Sequence, residues 1–213
     1  MPFIPSASVL AAYSLACFVL FITPGPDMSL QLAKTLAGGR RAGIAAATGA
    51  SLGIVVHSLL AAFGLSALVA ASPSMFLALK VLGAGYLLWL AVDAIRNGSS
   101  LSVAAEGSTT MSFWRTLALG IGVNLTNPKV VLFFVTFLPQ FVDAADPHAG
   151  AKLLFLGIYF VVFSYPLALL LVLGAEQLVT TIKRRPRLLR AIDWLFAGIF
   201  SAFAVRIIAT QAR

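Results

Sequence analysis

Two short runs hold the residues with the most chemistry to offer: Thr23-Pro24-Gly25-Pro26-Asp27 and Thr126-Asn127-Pro128-Lys129. Each sets an ionisable side chain directly after a proline, and the two charges are opposite. Proline removes a helix hydrogen bond and clashes with the preceding turn, so each run is expected to break its helix. Asn is a good N-cap and Pro suits the first helical position, so a half-helix should begin at Asn127-Pro128. Pro26-Asp27 should start a matching one. The unpaired N–H groups at such a start carry about half a positive charge, and two starts facing each other would favour a carboxylate. An ion at a bilayer centre costs roughly 2.5–3.5 kcal/mol on insertion scales, so neither charge should stand unpartnered. Two arrangements meet that demand. Asp27 and Lys129 form a structural ion pair that ties the breaks together, or the pair opens to admit a zwitterion whose ammonium and carboxylate replace the missing partners.

Other polar residues are sparse. His57, beside Ser51 and Ser58, reads equally as a hydrogen-bonded packing residue and as a proton relay. Asp93 and Arg206 are candidates for a second, structural ion pair, though both could simply reach a membrane interface. Glu176 stands at a helix end, and Trp89, Trp114 and Trp194 fit an aromatic belt. Cys17 is the single cysteine, so no intrachain disulfide and no Cys-x-x-Cys chemistry is available, and a membrane redox carrier with paired thiols is excluded. Two separated His and scattered acids supply no metal-ligand cluster. No Gly-x-Ser-x-Gly elbow points to hydrolysis and no Walker loop to ATP, so neither an enzyme nor a resident cofactor is expected.

The elements that position these residues follow from composition. Of 213 residues, 60% are hydrophobic and 10% charged, and the mean hydropathy is +0.98. Soluble domains run at about 45–50% apolar and about 25% charged, and a chain of this length cannot bury such an excess in water. Lipid must be its solvent. A spanning helix needs roughly 20 mainly apolar residues, and blocks of that size lie at 9–37, 42–71, 74–95, 112–140, 152–174 and 191–210. Ser72-Pro73 divides the second from the third. The first 26 residues contain no Lys or Arg, so the N-terminal block lacks the basic start of a cleaved signal and reads as a retained span.

The net charge of +8 is spread thinly between apolar blocks, which suits an anionic leaflet and not nucleic acid. Lys34, Arg40, Arg41, Arg96, Arg115, Lys183, Arg184, Arg185, Arg187 and Arg190 fall in or beside the first, third and fifth connections. Lys80, Lys152, Arg206 and Arg213 fall on the other side. That bias places the three connections in the cytoplasm and both termini outside. The halves also echo each other. The breaks lie 102 residues apart, Leu52-Gly53-Ile54 recurs as Leu156-Gly157-Ile158 at 104, and Gly85 through Asp93 can be laid on Gly198 through Arg206 at 113. Three spans per repeat invert the second copy, the architecture of many secondary transporters.

The run Phe21-x-x-Pro24-Gly25-Pro26-Asp27, followed by Gly38, Gly43, Gly49, Gly53 and His57, resembles the N-terminal signature of the LysE/RhtB amino-acid exporters. Gly83-x-x-Tyr86-Leu87-x-x-Leu90 and Asn124-x-x-Asn127-Pro128-Lys129 match the same pattern, so the resemblance covers nearly the whole chain. It implies a bacterial inner-membrane efflux protein for amino acids or close derivatives, driven by proton antiport. It carries site roles onto Pro24, Gly25, Pro26, Asp27, Asn124, Asn127, Pro128 and Lys129.

The expectation is therefore an all-α membrane protein in one transmembrane domain, with six helices as a 3+3 inverted repeat. Repeat one covers about 9–95, a cytoplasmic linker 96–111 and repeat two 112–210, with the first and fourth helices broken. Its partners are a small neutral amino acid of the homoserine or threonine type, protons and the bilayer, and a homo-oligomer is left open. A non-transporting membrane scaffold, and an exporter of a different small solute or cation, are the competing readings.

Overall fold

The computed structural model describes residues 4–65, 67, 72–97, 111–143 and 146–211. Helix α1 (Ala7–Ile22) is capped by Ser6, whose hydroxyl accepts from the Val9 amide at 3.4 Å, and it stops at Thr23 ahead of Pro24. Helix α2 (Pro26–Leu60) starts with proline at its first position and holds Asp27 in its first turn. Gly39 interrupts it with φ 73°, a left-handed conformation that glycine adopts without steric cost. This divides α2 into a short first arm and a longer second one, between which the basic residues Arg40 and Arg41 follow directly. A π-helical turn, Ala61–Leu65, continues α2.

Helix α3 (Pro73–Asn97) follows, then α4 (Phe113–Thr126), capped by Ser112. Asn127 closes α4 and opens α5 (Pro128–Leu132), which runs on through a π turn, Phe133–Phe137, and a 3-10 turn, Leu138–Phe141. The two segments Phe113–Thr126 and Pro128–Phe141 meet at a 53° bend at this break. Helices α6 (Ala149–Leu173), α7 (Ala175–Arg184) and α8 (Pro186–Gln211) complete the chain. In the loop before α6, Asp146 forms an ion pair with Lys152 and accepts from the His148 amide at 2.8 Å. The lysine bond is the larger reason that its carboxyl is held below the usual carboxylate range.

Among the described residues the fold is helical throughout. Two helices, Pro26–Gly64 and Ala149–Leu173, are long and apolar enough to cross a membrane, and the bent pair Phe113–Thr126 with Pro128–Phe141 makes a third. Ala7–Ile22 is apolar but shorter. The protein is thus apolar and helical as expected, whereas six separate crossings are not all delimited by length and composition among the described residues. Residues 98–110 of the expected linker, and the side chain of Arg206 that was to face Asp93, lie outside the described part.

Helix α2 packs along α4 and α6, and α3 packs along α8. Small residues allow the first of these contacts to be backbone on backbone. A Cβ at Gly49 would run into the Leu117 carbonyl, and one at Gly120 would lie 2.6 Å from the Ala46 carbonyl. In lipid, where apolar side chains gain little by touching one another in place of acyl chains, such close approach is what holds helices together. The central core is aromatic. Tyr13, Phe133, Phe134, Phe137, Phe160 and Phe200 are buried together between α1, the π turn after α5, α6 and α8. Leu60, Phe63, Leu82, Val162 and Leu170 point outward instead, as apolar residues do where the solvent is hydrocarbon.

Candidate functional site

The two breaks meet, and each is satisfied by the other. Asp27 accepts with Oδ2 from Asn124 Nδ2 at 2.9 Å and from Asn127 Nδ2 at 2.8 Å. Lys129 donates from Nζ to the Thr23 carbonyl at 2.6 Å and to the Leu20 carbonyl at 3.0 Å. The Leu20 bond has a simple origin. A helix would pair that carbonyl with the N–H four residues on, and Pro24 has none. Lys129 supplies the missing donor from the opposite break. The direct ion pair expected between Asp27 and Lys129 is therefore not formed; each charge is held by neutral polar groups of the other half. Carboxylate and ammonium both bind amides well, and the freed backbone of a broken helix offers more such groups than one opposing charge could.

Local structure sets these side chains in place. The Asn127 Oδ1 caps α5 by accepting the Lys129 amide at 3.1 Å, which turns its Nδ2 toward Asp27. Gly25, at the start of α2, lies against Lys129, where a Cβ would come within 3.2 Å of Nζ. Asn124 is fully buried at the last turn of α4, and it fits only because Gly53 of α2 has no side chain: a Cβ there would lie 2.5 Å from Asn124 Oδ1. Pro24, Pro26 and Pro128 occupy the breaks they were expected to make. His57 stands one contact away. Its Nε2 is 3.4 Å from the Asn124 carbonyl, and its ring stacks on Phe134 with centroids 5.5 Å apart. It is buried and touches the network through Asn124, without reaching Asp27 directly.

Beside the network lies a partly open cavity of about 60 Å³, with room for several waters. Asp27, Asn124 and Lys129 line it together with Gln31, Ser51 and Ser164. The rest of the wall is apolar, from Leu20, Phe21, Met28, Ile54, Phe160 and Leu171. Sequence reading missed Gln31. The signal was present, since Gln31 stands four residues after Asp27, one turn along the same helix face. Ser164 and the apolar lining carried no such signal, because their place depends on how α6 approaches α2.

The arrangement offers one anion, one cation and neutral oxygen acceptors around a small, mostly apolar cavity, at the junction of two interrupted helices. Comparison with known proteins gives the same direction. The model of the LysE type translocator family matches residues 18–211. A leucine efflux protein of Enterobacter sp. (strain 638) is 30% identical over 200 residues, covering 92% of each chain. One of Klebsiella pneumoniae is 31% identical over 206 residues, covering 94% of each. An uncharacterized membrane protein of Vibrio cholerae is 32% identical over 189 residues, covering 89% of this chain and 91% of its own. No solved structure matches. The chain belongs to the LysE type translocator family.

Proposed function

We propose that this LysE-type translocator exports a small neutral amino acid, bound in the cavity between its two broken helices, in exchange for protons. One observation carries the reading: Asp27 and Lys129, opposite in charge, line one small cavity and are each held by the opposing break. A substrate ammonium then lies toward Asp27 and its carboxylate toward the third N–H of Lys129, since only two are engaged. The apolar walls favour an aliphatic side chain, as in leucine, over the hydroxylated side chains of homoserine or threonine. The names of the leucine efflux relatives support the same choice. Asp27 is the proton carrier, and His57, coupled to it through Asn124, is the relay.

With no Walker loop in the chain, the energy comes from a gradient; one charge crossing 100 mV gains about 2.3 kcal/mol. Purified protein in liposomes is expected to move labelled L-leucine outward against its gradient when an inward proton gradient is imposed, and an uncoupler should stop it without any role for ATP. Leucine flux indifferent to the proton gradient would remove the antiport mechanism, and the absence of any amino-acid flux would favour the scaffold.

The same reading counts α1 with the first arm of α2 as one broken span and α4 with α5 as its inverted counterpart, in a six-span inner-membrane protein with both ends outside. The basic residues of the first, third and fifth connections support this orientation. A reporter active only in the cytoplasm should work when fused after Arg41 or Arg187 and fail at the C-terminus. Activity at the C-terminus would rule out an even number of spans with both ends outside.

A further inference from the structure

Three buried oxygen acceptors have no hydrogen-bond partner although their residues line the same cavity: Asp27 Oδ1, Gln31 Oε1 and Asn124 Oδ1. Gln31 is only 5% exposed and Asn124 is fully buried. A buried acceptor left unmade costs about 1–3 kcal/mol, and buried polar groups are otherwise nearly always paired, so three at one cavity point to a ligand that donates. Two further buried orphans, the Tyr13 hydroxyl and Thr116 Oγ1, lie away from this cavity and say nothing about it. Asn124 and Asn127 each already give an N–H to Asp27 Oδ2, so neither of these bonds serves the three orphaned oxygens. What those oxygens lack is a donor.

A primary ammonium presents three donors and one positive charge. Of the three acceptors one is anionic and two are neutral amide oxygens, which matches a monocation and gives a second cationic group nothing to pair with on the apolar walls. Resting on the reading of this cavity as the substrate site, we infer that Asp27, Gln31 and Asn124 form a receptor for an unsubstituted α-ammonium, with Gln31 as a specificity residue. The substrate class is then the free α-amino acid with an aliphatic side chain. N-acylated derivatives lose the charge and two of the three donors, N-methyl derivatives lose one donor, and the corresponding deaminated acids lose all of them.

The test uses the full chain. Competition against labelled L-leucine counterflow in proteoliposomes should rank unlabelled L-leucine first, N-methyl-L-leucine weaker, and N-acetyl-L-leucine and 4-methylpentanoate weaker than leucine by about tenfold or more, the loss of at least one hydrogen bond to a charged group. Gln31→Leu should raise the half-saturating leucine concentration by about tenfold and narrow the gap between leucine and N-methyl-leucine. Competition by 4-methylpentanoate equal to that of leucine, or unchanged half-saturation in a folded Gln31→Leu, would overturn the receptor. If Gln31→Leu does not fold, the wild-type ligand series decides by itself. If the wild type carries no amino acid at all, the transport reading fails on its own, and heat stability of the detergent-solubilised protein decides the receptor: stabilisation by L-leucine but not by 4-methylpentanoate upholds it, and no difference between them overturns it.

Discussion

Asp27→Ala is expected to abolish leucine export and to lower the heat stability of the purified protein together. The carboxylate accepts from two buried amides, Asn124 and Asn127, which are 0% and 1% exposed. Its removal strands both donors, at about 1–3 kcal/mol for each. Asp27→Asn separates the two effects. The side chain keeps its shape, and its one oxygen in the place of Oδ2 can still accept from both amides, so the fold should largely survive. The new amide NH2 takes the place of the unpartnered Oδ1, and the negative charge is gone. Export should then be lost while the protein still inserts and purifies. Full gradient-coupled export by Asp27→Asn would remove Asp27 both as proton carrier and as partner for the substrate ammonium.

Why Asp27 is placed where it is could be read from the chain, but not what it touches. The breaks at Pro24–Pro26 and Asn127–Pro128 follow from proline chemistry alone, and the cap at Asn127 follows from the preferences of a helix start. The glycines were visible as a pattern in α2, yet only packing reveals that Gly49 admits the backbone of α4 and Gly53 admits the Asn124 amide. Spacing along one helix says which residues share a face, so Gln31 was within reach from Asp27. It cannot say which atoms of the opposing break come closest. For that reason two opposite charges at matching positions suggested an ion pair, when the backbone carbonyl freed by Pro24 was the stronger claim on Lys129. The π turns at Ala61–Leu65 and Phe133–Phe137 had no mark in the sequence that distinguished them from ordinary helix.

This difference between pairing and cross-bracing sets the expected outcome of exchanging the charges. Lys129→Met should lose export and stability alike, because the carbonyls of Leu20 and Thr23 are left in apolar surroundings without a donor. In a direct ion pair, the double variant Asp27→Lys with Lys129→Asp would restore the attraction and rescue folding. Here it should not. The ammonium introduced at position 27 would face the donor groups of Asn124 and Asn127, and the carboxylate introduced at position 129 would face two carbonyl oxygens. Each exchanged charge meets the wrong pole of the opposing break, so the double variant should be at least as unstable as either single one. The losses need not add, since the four contacts form one network. Lys129→Arg keeps a donor for both carbonyls but brings a larger, planar group against Gly25, where a Cβ would already stand 3.2 Å from Nζ, so it should fold better than Lys129→Met and export less than the native chain. Melting curves of the purified variants and their leucine flux in liposomes measure both quantities. A stable, active exchange variant would show that Asp27 and Lys129 act on each other directly and that the amide and carbonyl contacts are incidental.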